Sequence, residues 1–392
     1  MGKFNFDLRV DRTNLHSLKE SMTPDAVRNH GLVSYWGAEF EFPTCPAFSE
    51  GVIACARRGH FPFTIQDENY NRHVAWWMEH VRHWNIAHDW IIPTHGTIFA
   101  LATTIRLFVK PVQNMIVILP GYSRYKQAAD RIGVGCVSSY MKYMKEEKRY
   151  ELDLDDLEQK MACPENTLLV LCNPNNPTGT ILKEDTIKHI SELSMKYNVP
   201  VFCDEIFAEV VLEGDGVVPF GKAAGEDSLS ITCTSLGKCM SLTGVNHANV
   251  IIPNAKLREK YIKQKYSDHY GSIDPMLYAG LCHAYTEDGK DYVEELCCAI
   301  KENVKVFTDS LKKILPKARV IQPEGTYVVW VDYSDMGLFD QDLAVFLEQE
   351  ALFVGDPGSE YGATDQFYRY NLAVPMECIK KSMEYLERSI KS

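Results

Sequence analysis

The side chains best suited to chemistry are a lysine, an aspartate, an asparagine and an arginine, each in an apolar or turn-forming context. Lys238 lies in TSLGKCMSLTG (residues 234–244), three residues after Ser235. A lysine becomes a nucleophile when burial or nearby cations lower its pKa, and its small, weakly charged neighbours suit that setting. A Ser-x-x-Lys pair also fits a serine hydrolase with a lysine base, so this motif alone leaves two chemistries open.

Two charged residues stand where burial would require an opposite charge. Asp204 ends the apolar run VFCD, and a buried carboxylate there needs a positive partner such as a protonated heterocyclic nitrogen. Asp204 could instead cap a helix that begins at Glu205. Arg369, in FYRYNLAVP, could hold a substrate carboxylate bidentately, or form a structural salt bridge with one of the chain's 53 acidic residues.

The turn NPNNPTG (residues 173–179) directly follows the apolar run TLLVLC. Such residues form a rigid turn, and open α/β sheets bind their ligands at the carboxyl ends of their strands. The side-chain amide of Asn176 would be a fixed hydrogen-bond donor there. Because Asn-Pro and Thr-Gly pairs are common turn formers, an ordinary loop is the alternative.

The elements that must position these residues alternate between strands and helices. Runs rich in β-branched residues predict strands at residues 115–119, 167–171, 199–203, 230–234 and 248–252. Helical periodicity between them predicts helices at residues 96–109 and 185–197. Such alternation indicates an α/β fold with a mostly parallel sheet, whose strand ends would carry the motifs between residues 173 and 244.

A smaller α+β unit is predicted after about residue 280. Its expected elements are a long helix at 293–315, a strand at 326–332, a helix at 341–350, a strand at 367–372 and a helix from Met376. The strand at 367–372 carries Arg369, which must converge with the motifs of the larger unit on one cleft.

Composition and charge exclude several function classes. The 392 residues are 45% hydrophobic and 24% charged, as in folded globular chains of one to three domains. The apolar runs fall short of the roughly 18 residues of a membrane span, and a net charge of −12 disfavours nucleic acid. The twelve cysteines lack metal-site spacing, and the charged N-terminus lacks a signal-peptide core, so we expect no metal and a cytoplasmic location.

The order of the motifs resembles the fold type I pyridoxal-phosphate enzymes, the aspartate aminotransferase superfamily. The shared pattern is an Asn-Pro-x-Gly turn, an Asp and then a Ser-x-x-Lys at intervals of about thirty residues, and a late Arg-x-Asn. The resemblance implies a large domain with a mostly parallel seven-stranded sheet sandwiched by helices, plus a smaller α+β domain. It implies an N-terminal segment (1–45) packed with the small domain, a large cofactor-binding domain (46–283) and a small domain (284–392).

The resemblance also assigns roles around the pyridoxal ring. Lys238 resembles the catalytic lysine that forms a Schiff base with the cofactor, and Asp204 resembles the partner of the pyridine nitrogen. Asn176 resembles the donor to the ring hydroxyl, and Tyr122, in LPGYSRY, resembles the aromatic residue that stacks on the ring.

Further roles concern the phosphate and the substrate. Gly96 and Thr97, in PTHGTIFAL, resemble the phosphate cradle at a helix N-terminus, to which Ser235 adds a hydroxyl. Arg369 resembles the clamp for the substrate α-carboxylate, and Gly37, in YWGAEFEFP, is the second substrate contact that the resemblance implies.

Within the superfamily the chain most strongly resembles the branch of cystathionine β-lyases and cysteine-S-conjugate (cystalysin-like) β-lyases. The shared segments are DRTNLHSLK, YWGAEFEFP and PEGTYVVWVDY. This implies a homodimer with active sites between subunits, which cleaves cystathionine, cysteine or S-substituted cysteines to a thiol, pyruvate and ammonia. An aminotransferase acting on an amino acid is the alternative, and a regulatory protein that binds the cofactor without turnover is a third possibility.

The chain departs from that branch around the cofactor. Phe63 replaces a tyrosine whose hydroxyl would reach the cofactor phosphate of the neighbouring subunit, and Phe207 replaces a Tyr or His. Asn246 stands where many aminotransferases carry a second arginine. Cys203 and Cys239 flank Asp204 and Lys238, so we expect both thiols to line the cofactor site.

Overall fold

Strands occupy the middle and the late part of the chain in this computed structural model, which describes residues 2–271 and 273–391. In chain order they are β1 (Ile91–Thr94), β2 (Asn114–Leu119), β3 (Gly135–Tyr140), β4 (Lys142–Met144), β5 (Arg149–Glu151), β6 (Asn166–Cys172), β7 (Val201–Asp204), β8 (Ser230–Thr234), β9 (Ala248–Ile251), β10 (Arg319–Val320), β11 (Val328–Asp332), β12 (Asp356–Pro357) and β13 (Phe367–Asn371). Branched apolar side chains dominate the central strands because they pack well on a buried, pleated surface.

Helices surround these strands. The α-helices are α1 (Leu18–Met22), α2 (Asp25–Asn29), α3 (Pro46–Arg57), α4 (Glu68–His80), α5 (Thr97–Phe108), α6 (Arg124–Ile132), α7 (Leu154–Met161), α8 (Glu184–Tyr197), α9 (Phe220–Ala224), α10 (Ala255–Ser267), α11 (Pro275–Ala284), α12 (Glu287–Ile314), α13 (Asp340–Ala344) and α14 (Met376–Lys391). Short 3₁₀ helices lie at His88–Trp90, Leu236–Lys238, Ser334–Met336 and Gly358–Tyr361, and a π-helix at Val345–Glu350. Within the described ranges, the helices are too short or too polar to cross a membrane.

The larger sheet has seven strands in the described residues, in the order β1-β9-β8-β7-β6-β2-β3. Strand β9 is antiparallel to both of its neighbours, and the other adjacent strands are parallel. This confirms the predicted fold class, and the five predicted strands correspond to β2, β6, β7, β8 and β9. The sequence pattern did not single out β1 and β3; β3 reads GCVSSY, which carries little apolar signal.

The two faces of this sheet are buried by different helices. Val170 and Phe202 pack on one face with Leu101 of α5, whereas Leu169 packs on the other face with Ile190 of α8. Neighbouring residues of a strand point to opposite faces, so a continuous apolar run supplies both layers of the core. The sheet is therefore covered on both sides, and its carboxyl edge is left for a ligand.

The smaller sheet is antiparallel in the described residues, with the strand order β10-β11-β13-β12. The N-terminal segment pairs with this unit: Tyr35 N–H donates to Val354 O (2.8 Å), and Asn371 N–H donates to Tyr35 O (3.0 Å). These bonds join Tyr35 to the smaller unit; the packing of residues 1–45 as a whole and the domain boundaries stay predictions. Strand β12, which the pattern missed, has two residues and is too short to show any periodicity.

A buried ionic cluster lies beneath the larger sheet. Arg82 Nη2 contacts Glu205 Oε2 (2.5 Å) and Arg82 Nη1 contacts Glu209 Oε1 (3.5 Å), while Trp77 Nε1 donates to Glu209 (3.3 Å). Burial raises the pKa of both glutamates, and the Arg82 charge opposes that rise. Because Glu205 follows Asp204 directly, this cluster anchors the end of β7.

We expect Arg82→Ala to destabilise the protein by about 3–5 kcal/mol, because it leaves two buried carboxyl groups without their cation. Urea denaturation at equilibrium measures the free energy of unfolding. Arg388→Ala is the matched control, because the Arg388 side chain is 79% exposed and its ion pair with Glu384 is a surface one. Equal effects of the two substitutions would contradict the structural role of the cluster.

Candidate active site

One cavity of about 820 Å³ lies at the carboxyl edge of the larger sheet, against the smaller sheet and the N-terminal segment. All of the predicted site residues line it: Gly37, Gly96, Thr97, Tyr122, Asn176, Asp204, Ser235, Lys238 and Arg369. These residues come from separate parts of the chain, and the parallel register of β6, β7 and β8 brings the central motifs together. Among the described residues, no three or more His, Cys, Asp or Glu side chains are grouped to hold a metal ion.

Lys238 ends the 3₁₀ helix that follows β8. Ser235 caps this turn by accepting the Gly237 N–H (3.0 Å) on its hydroxyl. Lys238 Nζ donates to Ala38 O (3.1 Å) and lies 5.9 Å from the centre of the Phe207 ring. Burial lowers the pKa of Lys238 to about 8; the Arg369 charge also lowers it, while Asp204 opposes the shift. The amine is therefore far more nucleophilic near neutral pH than that of an exposed lysine.

Asp204 ends β7 and is buried. Its carboxylate accepts the Tyr125 hydroxyl (2.7 Å) and the Ile206 N–H (3.2 Å). Burial raises the pKa of Asp204 to about 6, although both hydrogen bonds counteract the rise. The described residues contain no helix that begins at Glu205, so the capping alternative is not what the structure shows. The sequence analysis did not predict Tyr125. Its position three residues after Tyr122, near the start of α6, could have indicated that it lies close to the site.

The opposite end of the cavity is formed by the N-terminus of α5. Gly96 precedes this helix with φ of +93° and ψ of 164°, a backbone conformation that suits glycine. The Ser235 hydroxyl donates to His247 O (2.7 Å), and the Lys238 amine bonds to a different carbonyl. This arrangement does not pair Ser235 with Lys238 as a serine hydrolase would require. Burial lowers the pKa of His247 to about 3, so its ring adds no charge at neutral pH.

Arg369 lies on β13 and is 3% exposed. Its Nε and Nη2 donate to Asp356 Oδ2 (2.9 and 2.6 Å), and its Nη1 donates to Asn176 Oδ1 (3.0 Å). Burial alone would lower the pKa of Arg369, but the Asp356 carboxylate raises it, so the guanidinium stays charged. Arg369 thus forms a salt bridge, as the alternative prediction held, and its partner Asp356 also lines the cavity. Sequence reasoning missed Asp356, because Asp-Pro-Gly has the composition of an ordinary turn.

The arrangement could hold an elongated aromatic cofactor that carries a phosphate. The N-terminus of α5 and the Thr97 hydroxyl could receive an anion, and the Ser235 hydroxyl could join them by giving up its hydrogen bond to His247 O. Asp204 could meet a positively charged ring nitrogen. Asn176 accepts from Arg369 with its amide oxygen, which leaves its amide nitrogen to donate to a ligand.

Two expectations about neighbouring residues have different outcomes. Phe207 and Asn246 line the cavity, as their assigned places require. The prediction that Cys203 and Cys239 line it is wrong: both are buried in the apolar core, and Cys172 lines the cavity instead. Cys203 precedes Asp204 in a strand, so its side chain points to the opposite face.

Comparisons with known proteins agree with this geometry. The sequence model of the family described as aminotransferase class I and II matches residues 56–386. The cystathionine beta-lyase PatB of Bacillus subtilis is 25% identical over 388 residues, covering 98% of this chain and all of that protein. The protein MalY of Escherichia coli is 23% identical over 99% of both chains. The crystal structure of cystalysin from Treponema denticola, which contains pyridoxal 5'-phosphate, is 26% identical with a TM-score of 0.90 over 99% of both chains.

We expect Lys238 to react with acetic anhydride with a pH midpoint of about 8, because burial holds its amine partly neutral there. Competitive labelling of the cofactor-free protein, read by peptide mass spectrometry across pH, measures this midpoint. Lys188 is the internal control, since its hydrogen bond to Glu184 raises its pKa. If Lys238 were labelled only together with Lys188 at higher pH, the lowered pKa would be refuted.

Proposed function

The chain belongs to the class I and II aminotransferase family, and on this premise we propose that it is a pyridoxal-phosphate-dependent carbon–sulfur β-lyase. Its substrates would be cystathionine, cysteine or S-substituted cysteines, converted with water to a thiol, pyruvate and ammonia. One observation carries the proposal: the Lys238 amine, with its lowered pKa, shares a cavity with the buried Asp204 and Arg369. The names of PatB and of the cystathionine beta-lyase of Corynebacterium glutamicum support the lyase over an aminotransferase.

The residues present fit pyridoxal phosphate. The glycine conformation at Gly96 opens the N-terminus of α5 to a phosphate, and Thr97 adds a hydroxyl. Ser235 would add a second hydroxyl by giving up its hydrogen bond to His247 O. Asp204, ionised above about pH 6, would hold a proton on the pyridine nitrogen. Asn176 would donate its amide N–H to the ring oxygen, and Tyr122 would stack on the ring.

When bound, pyridoxal phosphate supplies an electron sink for the charge that develops at the substrate α-carbon. Lys238 would take the α-proton on its Nζ, which requires the neutral amine and so favours pH values near or above 8. Arg369 would bind the substrate α-carboxylate through the N–H groups that Asp356 and Asn176 leave free. The enclosing walls would keep the reacting atoms away from bulk water.

The same residues could also support transamination, since proton removal by Lys238 begins both reactions. The two reactions differ in their requirements. A lyase releases pyruvate from a cysteine derivative alone, whereas an aminotransferase needs a keto-acid acceptor. The lyase is the proposal because the relatives that span nearly the whole of both chains include two named cystathionine beta-lyases.

A homodimer is part of the proposal. The loop after α3 exposes three large apolar side chains, Phe61 (54%), Phe63 (99%) and Ile65 (71%). Three exposed large apolar side chains within five residues are typical of a surface that a partner covers. Phe63 lines a separate cavity and not the one that contains Lys238, which fits the expectation that this loop reaches the site of the neighbouring subunit.

We expect the holoprotein to release pyruvate from cystathionine or cysteine without any keto acid, and Lys238→Ala to abolish both this reaction and the visible absorption of the bound cofactor. A coupled lactate dehydrogenase assay and an absorption spectrum measure the two properties. Lys265→Ala is the matched control, because Lys265 is also buried with a lowered pKa but does not line the cavity. Pyruvate that appears only when a keto acid is added would support an aminotransferase instead.

We expect the protein to sediment as a dimer and Phe63→Asp to raise the dimer dissociation constant at least about tenfold, because it removes apolar burial and introduces an unpaired charge. Sedimentation velocity over a range of concentrations measures this constant. Phe339→Asp is the control: Phe339 is also exposed (83%) but lies in the small unit. A wild-type protein that stays monomeric at high concentration would contradict the proposed dimer.

A further inference from the structure

An internal carboxylate already occupies the donors expected to bind the substrate's α-carboxylate. Asp356 accepts two hydrogen bonds from Arg369 (2.9 and 2.6 Å) on its Oδ2. The Gly37 N–H lies 3.1 and 3.2 Å from the two oxygens of the same carboxylate. Both predicted substrate contacts are therefore hydrogen-bonded to Asp356.

A count of donors shows what remains for a ligand. A guanidinium has five N–H groups, and Asp356 and Asn176 together accept three from Arg369. Two N–H groups are left, enough for one carboxylate, whereas the single Gly37 N–H is already engaged. Arg369 can still bind a substrate carboxylate, but Asp356 already compensates the positive charge of its guanidinium.

Asp356 is fixed by burial and strand pairing, so its carboxylate does not move aside for a ligand. It is 1% exposed, and β12 pairs with β13 so that Asp356 lies directly opposite Arg369. The Tyr361 ring covers the guanidinium, with its centre 4.8 Å from Arg369 Cζ. Displacing Asp356 would leave a buried carboxylate without a partner, which is strongly unfavourable.

The rest of the cavity wall does not restore the positive charge. Glu39 is itself paired with Arg12, and Glu360 lines the wall beside Asp356. Among the described lining residues, Arg124 is the one Arg or Lys besides Lys238 and Arg369, and it lies on the exposed start of α6. After these pairings Glu360 and Arg124 balance each other, so this chain's part of the wall offers a second carboxylate no net positive charge near Arg369.

We propose that Asp356 is a specificity-determining residue, which restricts this site to amino acids whose side chain carries no net negative charge. The inference rests on the proposed function, because it assigns Arg369 to the substrate α-carboxylate. It deepens that function by naming the substrate class: cysteine derivatives whose side chain is neutral or zwitterionic. Amino acids and keto acids whose second carboxylate has no ammonium group beside it are excluded.

The first test uses the wild-type holoprotein and two unreactive acids of equal carbon number, butyrate and succinate. Isothermal titration calorimetry at pH 7 measures the dissociation constant of each. We expect succinate to bind no more tightly than butyrate, because its second charge gains no free cation. Tighter binding of succinate by about tenfold or more would overturn the proposal, since that factor is what one accessible cation provides. This comparison needs no variant, so it holds even if a substitution impairs folding.

The second test is Asp356→Asn, which keeps an acceptor for Arg369 and removes the negative charge. We expect the affinity for succinate to rise about tenfold and that for butyrate by a smaller factor, because Arg369 becomes a net cation. The pH midpoint of the bound cofactor's visible absorption should fall, since uncompensated positive charge disfavours a proton on Lys238 Nζ. If Asp356 only positioned Arg369, both acids would bind more weakly and the midpoint would not move; that outcome would overturn the proposal.

Asp332→Asn is the matched control. Asp332 is also buried in the smaller sheet, but it accepts the Tyr143 hydroxyl (2.8 Å) and does not line the cavity. It should leave both affinities unchanged. Because binding is measured with unreactive acids, this test is separate from turnover: a protein that transaminates instead of releasing pyruvate could still confirm or refute the role of Asp356.

Discussion

The parallel register of three adjacent strands is the constraint on which the rest of the site depends. Cys172 of β6 lies beside Asp204 of β7, and Asp204 lies beside Cys233 of β8, so the three strands end at nearly the same level. The chain leaves each strand at that edge, and the segments that follow carry Asn176 and Lys238. A cavity at this edge is therefore a consequence of strand direction, as in other open α/β sheets.

Burial at that edge shifts the pKa values of the two groups on which the proposed chemistry depends. Removing Lys238 from water lowers its pKa to about 8, and removing Asp204 from water raises its pKa to about 6. Both shifts disfavour the charged forms, which are costly without partners. The hydrogen bonds that Asp204 accepts from the Tyr125 hydroxyl and the Ile206 N–H offset part of that cost. The reactive amine of Lys238 and the cation-accepting carboxylate of Asp204 thus both result from burial.

The smaller sheet completes the site with charges that balance each other. Arg369 alone would make the substrate side of the cavity attractive to any anion, but its cross-strand neighbour Asp356 cancels that charge. The N-terminal segment contributes the Gly37 N–H to the same carboxylate. Fold and family are shared with aminotransferases, yet the charge in this part of the cavity depends on one strand of two residues. Specificity of this kind is decided by pairs of residues and not by the fold.

The sequence by itself predicted the main strands and helices and the nine residues that line one cavity, because periodicity, turns and motif order can be recognised along the chain. It also indicated the departures at Phe63 and Phe207. Only the tertiary structure showed that Asp356 engages Arg369 and Gly37, that Tyr125 bonds to Asp204, and that Cys203 faces away from the cavity. These facts depend on which strands pair, in which register and with which face inward. These contacts join residues that are separated by 13 to 319 positions in the sequence, and no local pattern predicts them.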